Sequence, residues 1–176
     1  MIDEANLSGA NLFGATCKEA LNRQFAERNQ AEAALLQDRD TARNILQTVE
    51  AIILALDADG RITLINRKGC DLLGWSESEL IGQDWFATCL PQNPQLDKIR
   101  DVFRKSLAAD LVASEYYENP VRTRSGDERL IAWHNSTIRD AAGNVIAALS
   151  AGEDITERRR AEVALLEAQA DLNRAQ

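Results

Sequence analysis

"RTRSGDERLIAWHNSTIRDAAGNVIAALSAGEDITERRRAE", residues 122–162, sets the architecture of the chain. Glu128–Arg139 and Val145–Gly152 are extended runs of apolar and β-branched residues that read as strands. Asp140-Ala141-Ala142-Gly143-Asn144 lies between them and carries the residue types a tight turn needs. Arg124-Ser125-Gly126-Asp127 likewise joins the first of these strands to an earlier one, Ser114–Thr123. Strands joined by such short turns pair antiparallel. The last strand then meets Glu153-Asp154-Ile155-Thr156, an acid-and-hydroxyl joint, and passes into a charged helix from Thr156 to the end. Thr156 is expected to cap that helix and Glu157 to favour its positive end. Asp154 is expected to pair with an arginine such as Arg158 or with nearby backbone.

Upstream, Ala51–Leu56 and the alternating Arg61–Asn66 flank the turn Asp57-Ala58-Asp59-Gly60 and read as a hairpin. Short helical pieces follow: Lys68–Leu73 ending at Gly74, then one opened by Ser76-Glu77-Ser78-Glu79, a capping-box pattern, and stopped by Gly82. Pro91 and Pro94 flank a loop. Gln95–Ala109 is an amphipathic helix with Leu96, Ile99, Val102, Phe103 and Leu107 on one face. A long helix without Gly or Pro is expected over 17 to about 50. Its seam of Leu21, Phe25, Leu35, Ala42, Leu46 and Val49 is broken by Arg28, Glu32 and Arg39. The tail helix carries a 4–3–4 seam of Ala161, Leu165, Ala168 and Leu172. The fold class is α+β, an antiparallel sheet with helices covering one face.

Composition narrows the function. The 176 residues carry a net charge of −8, with a pI of about 4.8. That excludes nucleic acid as the main partner, because phosphate contacts require a basic face. An anionic membrane surface is disfavoured for the same reason, and no apolar run reaches the roughly 20 residues of a span. The acidic start MIDEANLSGA does not resemble a signal peptide, so a soluble cytoplasmic protein is expected. Cys17, Cys70 and Cys89 are far apart with no CxxC, so neither a disulfide frame nor a zinc site, nor any other metal, is expected. His134 is the only histidine, nothing beside it suggests a nucleophile, and no phosphate-binding Gly-rich loop occurs. An enzyme is not expected.

The stretches "LDADGRITLINRKGCDLLGWSESELIGQDWF" and "RTRSGDERLIAWHNSTIRDAAGNVIAALSAGEDITERRRAE", with the amphipathic helix between them, resemble the PAS domain, or sensory box, of bacterial signalling proteins. The resemblance covers roughly residues 44 to 160. The set D-x-x-G, Asn66, L-G-W, E-L-I-G, R-D-x-x-G and D-I-T is specific as a whole. It implies a five-stranded antiparallel sheet with short helices cupping a small pocket, flanked by N- and C-terminal signalling helices. It implies a sensor of a small ligand, a redox or cofactor state, or a partner. It further implies relay to a downstream output domain of histidine-kinase or diguanylate-cyclase type. Ala5-Asn6-Leu7-Ser8-Gly9 and Ala10-Asn11-Leu12-Phe13-Gly14 resemble pentapeptide-repeat units, of which two bury no core alone. The expected division is a pentapeptide-like stub over 1–16, a helical linker over 17–49, the PAS domain over 50–155 and an output helix over 156–176.

Alternation puts Ile131, Trp133, Asn135 and Thr137 on one strand face and Ala132, His134 and Ser136 on the other. The register of the resemblance turns the Trp133/Asn135 set toward the pocket. Trp85 and Phe86 wall it, Ile99 and Phe103 close it from the long helix, and Ile131 completes the set. Asn135 either bonds a ligand or bonds internal backbone, and for the aromatics core packing is the alternative. Asp154 and Thr156 couple the last strand to the output helix by resemblance, and Asn66 fixes a local turn. The long helix has no histidine, which argues against haem. Cys89-Leu90-Pro91 does not fit the motif of a light-sensing flavin (FMN) adduct, and Cys70 lies in the preceding helix. Non-covalent FAD, held by Trp85, Trp133 and Asn135, stays open, as does a ligand-free dimerisation spacer. A parallel homodimer through Leu46, Val49, Ala161, Leu165, Ala168 and Leu172 is expected.

Overall fold

The computed structural model describes residues 4–94, 96–108 and 116–174, with side chains described from Cys17 onward. Gln95, Ala109, Ser114, the last two residues and the side chains of the pentapeptide-like units lie outside the described residues. The chain divides into two units, residues 1–45 and 46–176.

The first unit is helix α1 (Glu4–Thr48) up to Ile45. It starts well before residue 17, the expected start, so residues 5–14 are helical here. Gly9 and Gly14 each cost a helix about 1 kcal/mol relative to Ala, but no proline interrupts the alanines and leucines around them. Leu21, Phe25, Leu35, Leu36 and Ile45 are all more than half exposed.

The second unit starts with the last turn of α1. It continues through β1 (Ile52–Asp57), β2 (Ile62–Ile65), α2 (Arg67–Leu73), α3 (Glu77–Leu80) and α4 (Trp85–Cys89). Then come α5 (Leu96–Ala108), β3 (Tyr116–Arg122), β4 (Glu128–Arg139), β5 (Val145–Asp154) and α6 (Thr156–Arg174). The five strands form one antiparallel sheet in the order β2-β1-β5-β4-β3. The first and last strands are therefore neighbours, with Ile52 opposite Gly152, Leu54 opposite Ser150 and Leu56 opposite Ala148. On the other side of β5, Trp133 lies opposite Gly152 and Asn135 opposite Ser150.

Local chemistry sets the joints. The Glu79 carboxylate accepts from the Ser76 N–H at 2.9 Å and the Ser76 hydroxyl at 2.8 Å, which closes the start of α3. These bonds, the backbone one first, hold the Glu79 carboxyl below its ordinary range. Asp84 caps α4, a helix the sequence analysis did not delimit, by accepting from the Ala87 N–H. Asn66 does more than fix a turn. It caps α2 and also bonds to β1 and to the last turn of α1.

One face of the sheet packs against the helices. Leu54, Ile62, Ile65, Leu73, Leu80 and Ile131 are almost wholly removed from solvent there. Each such side chain contributes about 1.5–3 kcal/mol through burial. Among the described residues no helix is long and apolar enough to cross a membrane.

Candidate functional site

The core face of the sheet is not filled by side chains alone. Between it, α4 and α5 lies a cavity of about 440 Å³. Sequence spacing explains its walls. On β1, Leu54 and Leu56 are two residues apart and share a face, and small residues on β5, Ala148 and Ser150, leave room opposite them. Helix α5 presents two rows at four-residue spacing, Ile99 with Phe103, and Lys98 with Val102 and Ser106. Ile99 and Val102 line the cavity while remaining 41% and 55% exposed, whereas Leu107 at the end of the same helix is buried.

Of the residues expected at the pocket, Trp85, Phe86, Ile99, Phe103, Trp133 and Asn135 do line it. Ile131 does not. It lies on the same strand face but is wholly buried in the core. Leu54, Leu90, Lys98, Tyr117, Asn119 and Ser150 were missed. Strand alternation would have found Leu54 and Ser150, but only sheet order and helix placement bring the others to the same space.

The aromatic walls are interlocked. Trp85 and Trp133 meet edge to face, with ring centroids 5.9 Å apart and planes at 89°. Phe86 and Phe103 are tilted at 59° with centroids 5.3 Å apart. The Arg100 guanidinium sits 5.7 Å from the Phe86 centroid and pairs with Asp84 at 3.0 Å. Two tryptophans at a right angle fill space, and they do not form a parallel-sided slot for a planar ring. Trp133 is seated on Gly152: a Cβ there would come within 2.6 Å of its ring and 2.8 Å of Ile131. Only the absence of a side chain lets the indole lie against β5.

The polar groups are few. The Ser150 hydroxyl donates to the Asn135 Oδ1 at 2.6 Å, so this buried amide is partly satisfied from within the sheet. Asn119 lines the cavity with its Oδ1 buried and without a hydrogen-bond partner among the described residues. Burial pushes Cys89 up to about 12 and also raises Cys70, aided by Glu77 and Asp71. Among the described residues no cluster of metal-ligating side chains occurs.

At the start of α6 the joint differs from the expected cap. Thr156 is the first residue of the helix, and its hydroxyl accepts from the Leu130 N–H at 2.8 Å while donating to the Asp154 carboxylate. Asp154 also accepts from the Thr156 N–H at 2.9 Å. The physical reason lies in the ladder. Ile131 opposite Asp154 is the last pair of β4 with β5, so Leu130 needs partners beyond it. It finds them in Thr156 and in the Ile155 N–H, which donates to the Leu130 carbonyl at 2.9 Å. Arg158 pairs with Glu153, and the cation beside Asp154 is Arg129 at 3.8 Å. Leu165 and Leu172 stand 60% and 64% exposed on α6, with Ala161 and Ala168 also exposed. Leu46 is half-buried in the last turn of α1, and Val49, also half-buried, falls just past its end.

Residues 46–160 match a family model described as PAS fold. No curated protein sequence matches the chain. Among solved structures, the PAS domain of an HTR-like protein from Haloarcula marismortui is similar with a TM-score of 0.58 at 20% identity, covering 72% of this chain and 99% of that one. The PAS domain of the Cronobacter turicensis RpfR quorum-sensing receptor, in complex with BDSF, is similar with a TM-score of 0.52 at 26% identity, covering 61% and 96%. The same domain in complex with C12:0 gives a TM-score of 0.51 at 26% identity, with the same coverage of 61% and 96%.

Proposed function

The chain belongs to the PAS-fold family, and on that premise we propose that it is a sensor of a small, largely apolar ligand held between α5 and the sheet. PAS relatives are sensory modules of signalling proteins, and some bind ligands. The observation that carries the proposal is the cavity of about 440 Å³, within the range of about 300–1,000 Å³ usual for ligand sites. The exposed Ile99 and Val102 on its wall add apolar surface that a ligand would remove from water. The RpfR domain, 26% identical, is in complex with BDSF in one structure and C12:0 in another, which supports an aliphatic ligand here.

Neutral n-alkanols of six to twelve carbons test this without regard to head group. At 100 times Kd, a ligand of the folded state raises stability by about 2.7 kcal/mol. A higher melting temperature and a change in Trp85/Trp133 fluorescence are expected. No response to any member of the series would overturn the cavity reading.

Occupancy is passed outward through Trp133, its seat on Gly152, and the joint of Asp154 and Thr156 with Leu130. In this proposal α6 acts as the lever toward an output domain and pairs with a second copy through Leu165 and Leu172. Introducing aspartate at both positions is expected to convert the dimer into monomers by light scattering, without changing the unfolding midpoint of the PAS unit. A dimer that survives both changes puts the seam elsewhere.

A further inference from the structure

Among the described residues that line the cavity, Lys98 is the one that is charged, and none is acidic. In a chain of net charge −8 the wall of the apolar site therefore carries a cation. Lys98 makes no ion pair with any described residue, although Asp97 and Asp101 share its helix. The two arginines of α5 are engaged, Arg100 with Asp84 at 3.0 Å and Arg104 with Asp59 at 4.0 Å, and its other lysine, Lys105, does not line the cavity. Lys98 is an exposed residue, so its ammonium can keep its water, and it lines the cavity together with Val102 and Ser106, four and eight residues further along α5. Asn119 adds a buried, unpartnered amide oxygen to the same lining. A half turn of that amide offers an NH₂ in place of the oxygen, so it serves either an acidic hydroxyl or a carboxylate.

We infer that the ligand is a linear amphiphile with an anionic head, a medium-chain carboxylate in particular, whose head is held at Lys98 and whose aliphatic tail lies against the Trp85, Phe86 and Trp133 walls. This rests on the cavity reading of the preceding section and adds the head-group chemistry. The carboxylate–ammonium contact sits at the edge of the site, where both ions remain partly hydrated. It selects for charge, and the apolar wall supplies most of the affinity.

The test compares dodecanoate with dodecan-1-ol, at submicellar concentrations, by quenching of intrinsic tryptophan fluorescence in the full chain. Lys98→Met keeps the apolar stem and removes the charge, and Lys98→Arg restores a cation. Loss of one charge-assisted contact is expected to weaken dodecanoate about tenfold in Lys98→Met while dodecan-1-ol binding stays within about twofold. Lys98→Arg is expected to recover most of the dodecanoate affinity. Equal loss of both ligands, or undiminished dodecanoate binding in Lys98→Met, would overturn the head-group assignment. So would wild-type protein that binds the alcohol and refuses the acid, a result that leaves the cavity reading standing. Failure of both ligands to bind wild-type protein removes the cavity reading and this inference together.

Discussion

Asn66→Ala is expected to lower the unfolding free energy by about 4 kcal/mol, the largest single-site loss in the domain. The side chain is 1% exposed and makes hydrogen bonds with four backbone groups. Its Oδ1 accepts from the Ile53 N–H at 3.0 Å and the Gly69 N–H at 3.1 Å. Its Nδ2 donates to the Leu46 carbonyl at 3.1 Å and the Ala51 carbonyl at 2.8 Å. Alanine leaves these groups without a partner in a site closed to water, and each orphan costs about 1–3 kcal/mol, less than additively. The four partners belong to the end of α1, the approach to β1, β1 itself and the first turn of α2. The change therefore loosens the hold of the sheet on the last turn of α1, at Leu46, as well as the core. Urea unfolding with an unchanged slope and a much lower midpoint is the expected record. A loss below about 1 kcal/mol would mean that water reaches the vacated bonds.

Gly60→Ala is expected to cost about 3 kcal/mol, the sum of a backbone and a packing effect. Gly60 has φ of 81°, a left-handed conformation that a side chain disfavours. A Cβ there would also stand 2.5 Å and 2.9 Å from ring atoms of Phe86. That ring is 4% exposed and packed against Phe103 and Arg100, so it cannot swing aside freely. The direction left open to it is the cavity, and ligand affinity is expected to fall along with stability. Gly143→Ala isolates the backbone part. Its φ is 88°, but nothing lies within 4 Å of the added Cβ, so about 1 kcal/mol is expected. Equal losses at both positions would show that Phe86 yields without cost.

Much of this architecture can be read along the chain because its causes are local. Turn residues sit where the turns form, as at Asp140–Asn144, where Asp140 accepts from the Ala142 and Asn144 N–H groups. Ser76 and Glu79 announce the start of α3 in the same way. Strand periodicity put Trp133 and Asn135 on one face, the resemblance to PAS domains turned that face toward the pocket, and the apolar face of α5 was visible in its spacing.

The errors have a common origin in partners that are remote along the chain. Thr156 has the chemistry of a helix cap, yet it bonds Leu130, 26 residues away, because sheet pairing stops one residue short of that N–H. Ile131 shares a strand face with Trp133, but its depth in the core is set by packing from other elements, which hide it from the cavity. Lys98 has no signal in the sequence that marks it for a site, and only the placement of α5 brings it to the cavity. Side-chain pattern specifies which faces are apolar and where the backbone bends, since those follow from periods of two and 3.6 residues. Which polar group meets which, and whether a gap of cavity size survives between them, depends on strand order and helix docking, in which residues nearly a hundred positions apart, such as Leu54 and Ser150, become neighbours.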